Sequence, residues 1–290
     1  MLQHTPVLEY RLAGRVIKVK REDLCVPEGW PPFSKMRGVY AYLSRRRDVG
    51  LRTVGYNETT VSMAGWGLAA CCKHLGMQAV IFKPTYKGVT KGRVDLKLLE
   101  YHAEQWQRLG ATIIPIQATR MQINYYKARG ILASQFADSE MLPMGLPFEE
   151  TIVETAKEWR ATMEVVRPAV TVLCAGSGTV LAGVLRGREA GEGRVIAVLV
   201  RGTETHEMWR QALSKAKRLQ GGLLGKLEEF KVVGPGWEYT EPSYCACPFP
   251  CHPFYDLKAW HWLKENIVKL PDPVLFWNIG SSPVKLPSSV

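Results

Sequence analysis

The apolar positions fall into short continuous runs that alternate with blocks of helical spacing. Val16-Ile17-Lys18-Val19 reads as a strand edge that turns charged at Lys20-Arg21-Glu22-Asp23. The loop Pro27-Glu28-Gly29-Trp30-Pro31-Pro32 cannot be helix interior. After Phe33-Ser34-Lys35-Met36-Arg37-Gly38, the residues Val39, Tyr40 and Leu43 recur at helical spacing, so Lys35 stands where a rigid loop becomes a helix. Residues 51–56 then read as a strand, 57–62 as a polar loop, and 63–75 as a helix stopped by Gly76. A strand at 78–82, a basic stretch from Lys83 to Lys97, a helix at 98–109 ending at Gly110 and a strand at 111–116 follow. Helices are expected over 123–137, with a break near Gly130, and over 148–166.

The buried-type strand Val170–Cys174 runs directly into Gly176-Ser177-Gly178-Thr179, a glycine-rich turn opening a helix. Free amides and the positive helix end would hold a phosphate there, although an ordinary strand–helix turn looks the same in sequence. A strand at 195–200, a loop-rich region after 230 and a strand at 274–279 complete the pattern. Strands alternating with helices predict an α/β fold of parallel sheets joined by right-handed crossovers.

Composition adds three constraints. A chain of 290 residues, 46% apolar, has room for one large or two modest domains. Its apolar runs fall short of the roughly 18 residues of a membrane span, and residues 1–14 lack the apolar stretch of a signal peptide, so a soluble cytoplasmic protein is expected. Seven cysteines, two of them adjacent in an apolar helix, fit reduced thiols better than a disulfide framework. The net charge of +11 points to a polyanionic partner.

Three features carry candidate chemistry. Lys35, among prolines and aromatics, is placed like a Schiff-base lysine, with a surface lysine as the plain alternative. Cys245, Cys247, Cys251 and His252 lack the spacing of a common zinc site, so no metal is expected. Lys83, Lys87, Lys91 and Arg93, with Tyr86 among them, form a basic run. Arg45-Arg46-Arg47 with Arg52, and Lys215, Lys217 and Arg218, form two more. Such runs are either solvated faces or phosphate contacts.

Taken together, VKREDL (19–24), SKMRG (34–38), LAACCKHLGMQAVIF (68–82), LPMGLPFEETIVETAKEW (142–159), CAGSGTVLAGVL (174–185), HPFYDLKAW (252–260) and FWNIGSS (276–282) resemble one family in order and spacing. The chain is similar to fold type II pyridoxal-phosphate enzymes, the tryptophan synthase β superfamily, and most of all to the 1-aminocyclopropane-1-carboxylate deaminase / D-cysteine desulfhydrase family. The resemblance implies two domains, each an open, twisted, mostly parallel sheet flanked by helices. Residues 1–39 with 141–290 would form the large cofactor-binding domain and 40–140 the small one. It implies pyridoxal 5'-phosphate on Lys35, the phosphate on Gly176, Ser177, Gly178 and Thr179, and Ser281 near the pyridine nitrogen. Tyr239 matches a tyrosine presented to substrate, with a packing role as the alternative. The loop Thr59–Trp66 matches the segment facing the cofactor hydroxyl and the substrate carboxylate.

The chain departs from that family where it matters for reaction type. Ser62-Met63-Ala64 stands where Ser-Asn-His is usual, so cofactor orientation falls to Asn57, Thr60 or Ser62. Ser34 replaces the asparagine before the lysine, and Cys245–His252 replaces a helix. Phage pathways of thymidine hypermodification include pyridoxal-phosphate decarboxylases working on amino acids mounted on a 5-hydroxymethyluracil-derived base. The favoured expectation is therefore decarboxylation of an amino acid on a modified thymidine in double-stranded DNA, with Lys83, Lys87, Lys91 and Arg93 on phosphates and Trp66 or Tyr239 stacking on the base. The alternative is a lyase or deaminase of a free small amino acid. A catalytically dead nucleic-acid-binding relative fits poorly with retention of Lys35, the glycine turn and Ser281. A homodimer is compatible with either enzyme reading.

Overall fold

The computed structural model describes residues 2–86, 96–189, 191–203 and 230–283. Its elements in chain order are β1 (Val7–Leu12), β2 (Arg15–Arg21), α1 (Met36–Asp48), β3 (Thr53–Asn57), α2 (Ala64–Leu75), β4 (Gln78–Thr85), α3 (Lys97–Arg108), β5 (Thr112–Gln117), α4 (Met121–Gln135), β6 (Ser139–Met141), α5 (Glu149–Val165), β7 (Val170–Ala175), α6 (Thr179–Gly187), β8 (Arg194–Leu199), β9 (Phe230–Val233), α7 (Asp256–Asn266) and β10 (Val274–Asn278). They divide into two compact units. The larger comprises Met1–Pro27, Pro32–Gly38 and Phe148–Val290, and the smaller Glu28–Pro31 and Val39–Pro147.

The larger unit holds a six-stranded sheet in the order β1-β2-β10-β7-β8-β9. Only the β1–β2 pair is antiparallel. Its hairpin turns through Ala13 and Gly14, both with positive φ, the handedness that matches strand twist. The central strands β7, β8 and β10 are largely apolar on both faces, as a sheet covered on both sides must be. Val172, Cys174, Val198 and Phe276 pack on one face with Trp260 and Leu263 of α7. Leu173, Ala197, Leu275 and Trp277 pack on the other with Ile152 and Trp159 of α5 and Val184 of α6. There α5 and α6 approach so closely that a Cβ at Gly183 would lie 2.3 Å from Thr155, which requires glycine.

The smaller unit is a four-stranded parallel sheet in the order β5-β4-β3-β6. Ala128 and Leu132 of α4 cover Val80, Phe82 and Ile116 on one face.

Four elements differ from the sequence expectation by having been missed: β1, β6, β9 and α7. The first three are short or at a sheet edge, where half-exposed residues show little periodicity. The expected break at Gly130 is absent, and α4 runs through it unbroken. The glycine lies where a side chain would meet nothing within 4 Å, so neither packing nor the helical ladder depends on it.

Candidate active site

Lys35 lies immediately before α1, half-buried, on a strap fastened at both ends to the larger unit. The Ser34 amide donates to the Ile279 carbonyl at 2.8 Å, and the Ser281 amide donates to the Pro32 carbonyl at 3.0 Å. Phe33 and Gly280 pair between them. A Cβ on Gly280 would stand 2.9 Å from both the Phe33 Cβ and the Pro32 oxygen, so only glycine permits this approach. The sequence-distant residues Lys35 and Ser281 are thus carried by one paired turn. On the other side of Lys35, a Cβ on Gly38 would lie 2.2 Å from the Thr151 Cα, which presses the start of α1 onto α5.

The Lys35 Nζ donates to Ser177 Oγ at 3.0 Å, and Ser177 Oγ lies 3.0 Å from Thr179 Oγ1. Gly178, with φ +77°, turns the chain from β7 into α6, so the amides of the first helical turn face the same loop. At Gly176 a Cβ would stand in ordinary contact with Val200, at 3.5 Å. Lysine, hydroxyls and a helix N-terminus converge in one cradle, the donor set that suits an anion beside an amine-reactive group.

A buried ion network sets this strap. Lys20, Arg21, Glu22 and Asp23, where the strand turns charged in sequence, are between 1% and 7% exposed. The Lys20 ammonium pairs with Glu158 at 2.8 Å, and the Arg37 guanidinium with Glu22 at 2.5 Å and Glu158 at 3.6 Å. Arg21 donates to both Asp23 oxygens, at 2.8 and 2.7 Å, and Asn278 of β10 donates to Asp23 at 3.1 Å.

Three residues that the sequence did not single out belong to this neighbourhood or its smaller-unit counterpart. Asp256, fully buried at the start of α7, accepts the Ile279 amide at 2.7 Å and so fixes the turn carrying Ser281. Tyr255 Oη lies 2.5 Å from Tyr239 Oη, which makes Tyr239 half of a tyrosine pair. Glu58, in the smaller unit, accepts the Thr59 amide at 2.8 Å and the Gly65 amide at 2.5 Å, capping α2. An acid before a helix is a recognisable cap, but its spacing from Gly65 matches no standard capping box.

That cap bears on one expectation. The amides of the loop Thr59–Trp66 were read as offered to a substrate carboxylate. Glu58 takes two of them, Thr59 Oγ1 takes that of Ser62 at 3.2 Å, and Ser62 Oγ takes that of Ala64 at 3.0 Å. Of the other residues read here, Thr60 is buried and hydrogen-bonded to Tyr86. Asn57 is 2% exposed, with Nδ2 4.0 Å from the Met144 sulfur and Oδ1 without a partner among the described residues. Trp66 is a core residue, 4% exposed and edge-on to Tyr101, which rules it out as a stacking platform.

Burial raises the Glu58 pKa to about 8 and that of Asp256 to about 7, each against the pull of its backbone hydrogen bonds. In the unfolded chain both sit near about 4. From about pH 4 to 8 the folded protein therefore keeps protons that the unfolded chain releases, and this pair makes stability fall as pH rises. The Glu58→Gln/Asp256→Asn variant should show a shallower decline across that window in denaturant midpoints. Equal slopes in parent and variant would reject the assignment.

Lys83 pairs with Glu100 at 2.7 Å, so its charge is engaged within the smaller unit. Lys87, Lys91 and Arg93, like Lys215, Lys217 and Arg218, lie outside the described residues. Arg46 pairs with Glu140 at 2.7 Å and Arg47 with Asp48 at 2.8 Å. Cys247 and Cys251 sulfurs are 3.5 Å apart, and no group of metal-ligating side chains forms among the described residues. Nor is any described helix long and apolar enough to cross a membrane.

No protein-family model matches the chain. It is 38% identical over 289 residues, 97% of its own length and 99% of the relative's, to a "Glycyl-dTMP PLP-dependent decarboxylase" of Pseudomonas phage M6. Among solved structures it is similar to an ACC deaminase homologue, with a TM-score of 0.75 and 19% identity over 96% of this chain and 89% of the other. A pyridoxal 5'-phosphate-dependent aspartate racemase matches with a TM-score of 0.68 and 12% identity over 98% and 92%. These folds are those of fold type II pyridoxal-phosphate enzymes, and the cradle fits that cofactor: an amine for its aldehyde, and hydroxyls and helix amides for its phosphate.

Proposed function

We infer, from a chain that belongs to the family of the phage glycyl-dTMP PLP-dependent decarboxylase, that it removes the carboxylate of an amino acid carried on thymidine. The observation that carries this reading is the 38% identity extending over essentially both whole chains. Pyridoxal phosphate supplies the electron sink for breaking a bond at Cα. The bond between Cα and the carboxylate breaks, carbon dioxide leaves, and a proton takes its place on Cα. That cofactor acts through a free amine on the same carbon, so the glycyl unit must be joined to the base through carbon and not through nitrogen.

Lys35 is proposed to hold the cofactor and to deliver that proton, with Gly176, Ser177, Gly178 and Thr179 binding the phosphate. Ser281 offers the ring nitrogen a neutral hydroxyl. Tyr239, paired with Tyr255, is proposed to face substrate. Of Asn57, Thr60 and Ser62, Asn57 has the unanswered buried oxygen and is the first choice for orienting the cofactor.

The substrate is proposed to lie in DNA. The charge of +11 and the basic run Lys87, Lys91 and Arg93, which follows β4 in sequence, support this. The test supplies the glycyl-bearing nucleotide both free and within a duplex oligonucleotide. The expected result is carbon dioxide release with the matching loss of mass. Rapid release of carbon dioxide, ammonia or pyruvate from a free amino acid, with none from either nucleotide form, would overturn the reading.

A further inference from the structure

The outer face of α4 carries a second, unassigned basic surface. Ala128 and Leu132 anchor the helix to the sheet, and the opposite side exposes Ile123 at 56% and Tyr126 at 66%. Gly130 lies on the same outward side and leaves it flat, because nothing stands within 4 Å of its missing side chain. Lys127 and Arg129, both exposed, flank this strip, and exposed Arg120 precedes the helix. The sequence of α4 contains no acidic residue. Among the described residues none of these three cations has an acidic partner, whereas Arg46, Arg47 and Lys83 each do.

An exposed aromatic bordered by unpaired cations suits a polyanion with apolar sugar and base surfaces. It suits a second copy of this chain poorly, since two copies meeting here would oppose like charges in a protein of charge +11. Topology supports the same occupant. The sheet is parallel, so the start of α4 leaves the C-terminal strand edge from which the Asn57–Ser62 loop also departs, the edge that borders ligands in open α/β sheets. We propose that this face of α4 grips the sugar–phosphate backbone of the DNA bearing the substrate nucleotide, with Lys127, Arg129 and Arg120 on phosphates and Tyr126 against sugar or base. The proposal rests on the DNA-borne substrate inferred above.

The test measures binding of the cofactor-loaded protein to a labelled thymidine-containing duplex by anisotropy, from about 50 to about 200 mM salt. The Lys127→Glu/Arg129→Glu variant should bind more weakly, and its slope of log affinity against log salt should be shallower by about 1.8, the loss of two phosphate contacts. Tyr126→Ala should weaken binding several-fold with the slope unchanged. Both variants should decarboxylate the free glycyl nucleotide like the parent and lose turnover only on duplex. An unchanged slope in the double variant would overturn the proposal. So would sedimentation showing that the substitutions split a dimer while duplex binding persists. A parent that binds duplex through this face but decarboxylates neither form would refute the reaction and leave the surface standing.

Discussion

Lys35→Ala should be colourless where the parent is yellow, and should release no measurable carbon dioxide from the glycyl nucleotide. Borohydride should fix the cofactor to a peptide containing Lys35 in the parent and to no peptide in the variant. Lys35 is the amine set against the Ser177–Thr179 hydroxyls, at 3.0 Å from Ser177, in the loop proposed to bind the phosphate. Loss of proton transfer by itself lowers rates by about 10²–10⁴-fold, and loss of the covalent anchor adds to that. The fold should survive. Lys35 is half-buried, and the strap around it is held by the backbone pairs of Ser34 with Ile279 and Ser281 with Pro32, which alanine leaves intact. A variant of unchanged circular dichroism that still yields a borohydride-fixed lysine would show that another amine carries the cofactor.

Glu158→Gln should cost the larger unit about 3–5 kcal/mol, the usual penalty for leaving buried charges without their partner, and lower its melting temperature by roughly 10 °C. Glu158 is 2% exposed and faces Lys20 at 2.8 Å and Arg37 at 3.6 Å, both also buried. Removing its charge leaves two cations to share Glu22. Burial works to raise the Glu158 pKa, yet Arg37, Lys20 and His4 hold it below the ordinary carboxylate value. A depressed carboxylate contributes its stability above the unfolded value near about 4.3 and loses it as pH falls further. The gap between parent and Glu158→Gln should therefore be widest near neutral pH and close in acid. Calorimetry at both pH values checks this, and a constant gap would mean that packing, not charge, accounts for the loss. Arg37 lies two residues beyond Lys35, so the cofactor affinity of the variant should fall with its stability.

Much of the site could be read from the chain because its signals are local. A glycine turn after an apolar strand needs only neighbouring residues to define it, and β7–Gly178–α6 formed where the pattern placed it. Lys35 at a loop–helix junction is likewise a local fact, set by Pro31, Pro32 and the apolar spacing that follows. Glu58, Tyr255 and Asp256 were not legible, because each acts through a partner that spacing does not announce. Glu58 reaches Gly65 across a turn, Tyr255 meets Tyr239 16 residues away, and Asp256 reaches the Ile279 amide 23 residues away.

The sequence by itself determined the alternation of strands and helices, the glycine cradle and the lysine before α1, since backbone preference and hydrophobic period act over a few residues. Tertiary structure alone decided the fate of Lys20-Arg21-Glu22-Asp23. In sequence these are only the point at which a strand turns charged. In the fold they are a buried network, because Glu158 on α5, Arg37 on α1 and Asn278 on β10 supply the opposing charges and hydrogen bonds that make burial tolerable. The same holds for Ser281, which the chain leaves 246 residues from Lys35 in numbering and the Phe33–Gly280 pairing brings onto one turn. Burial and long-range pairing depend on what arrives from elsewhere in the chain, which no local pattern encodes.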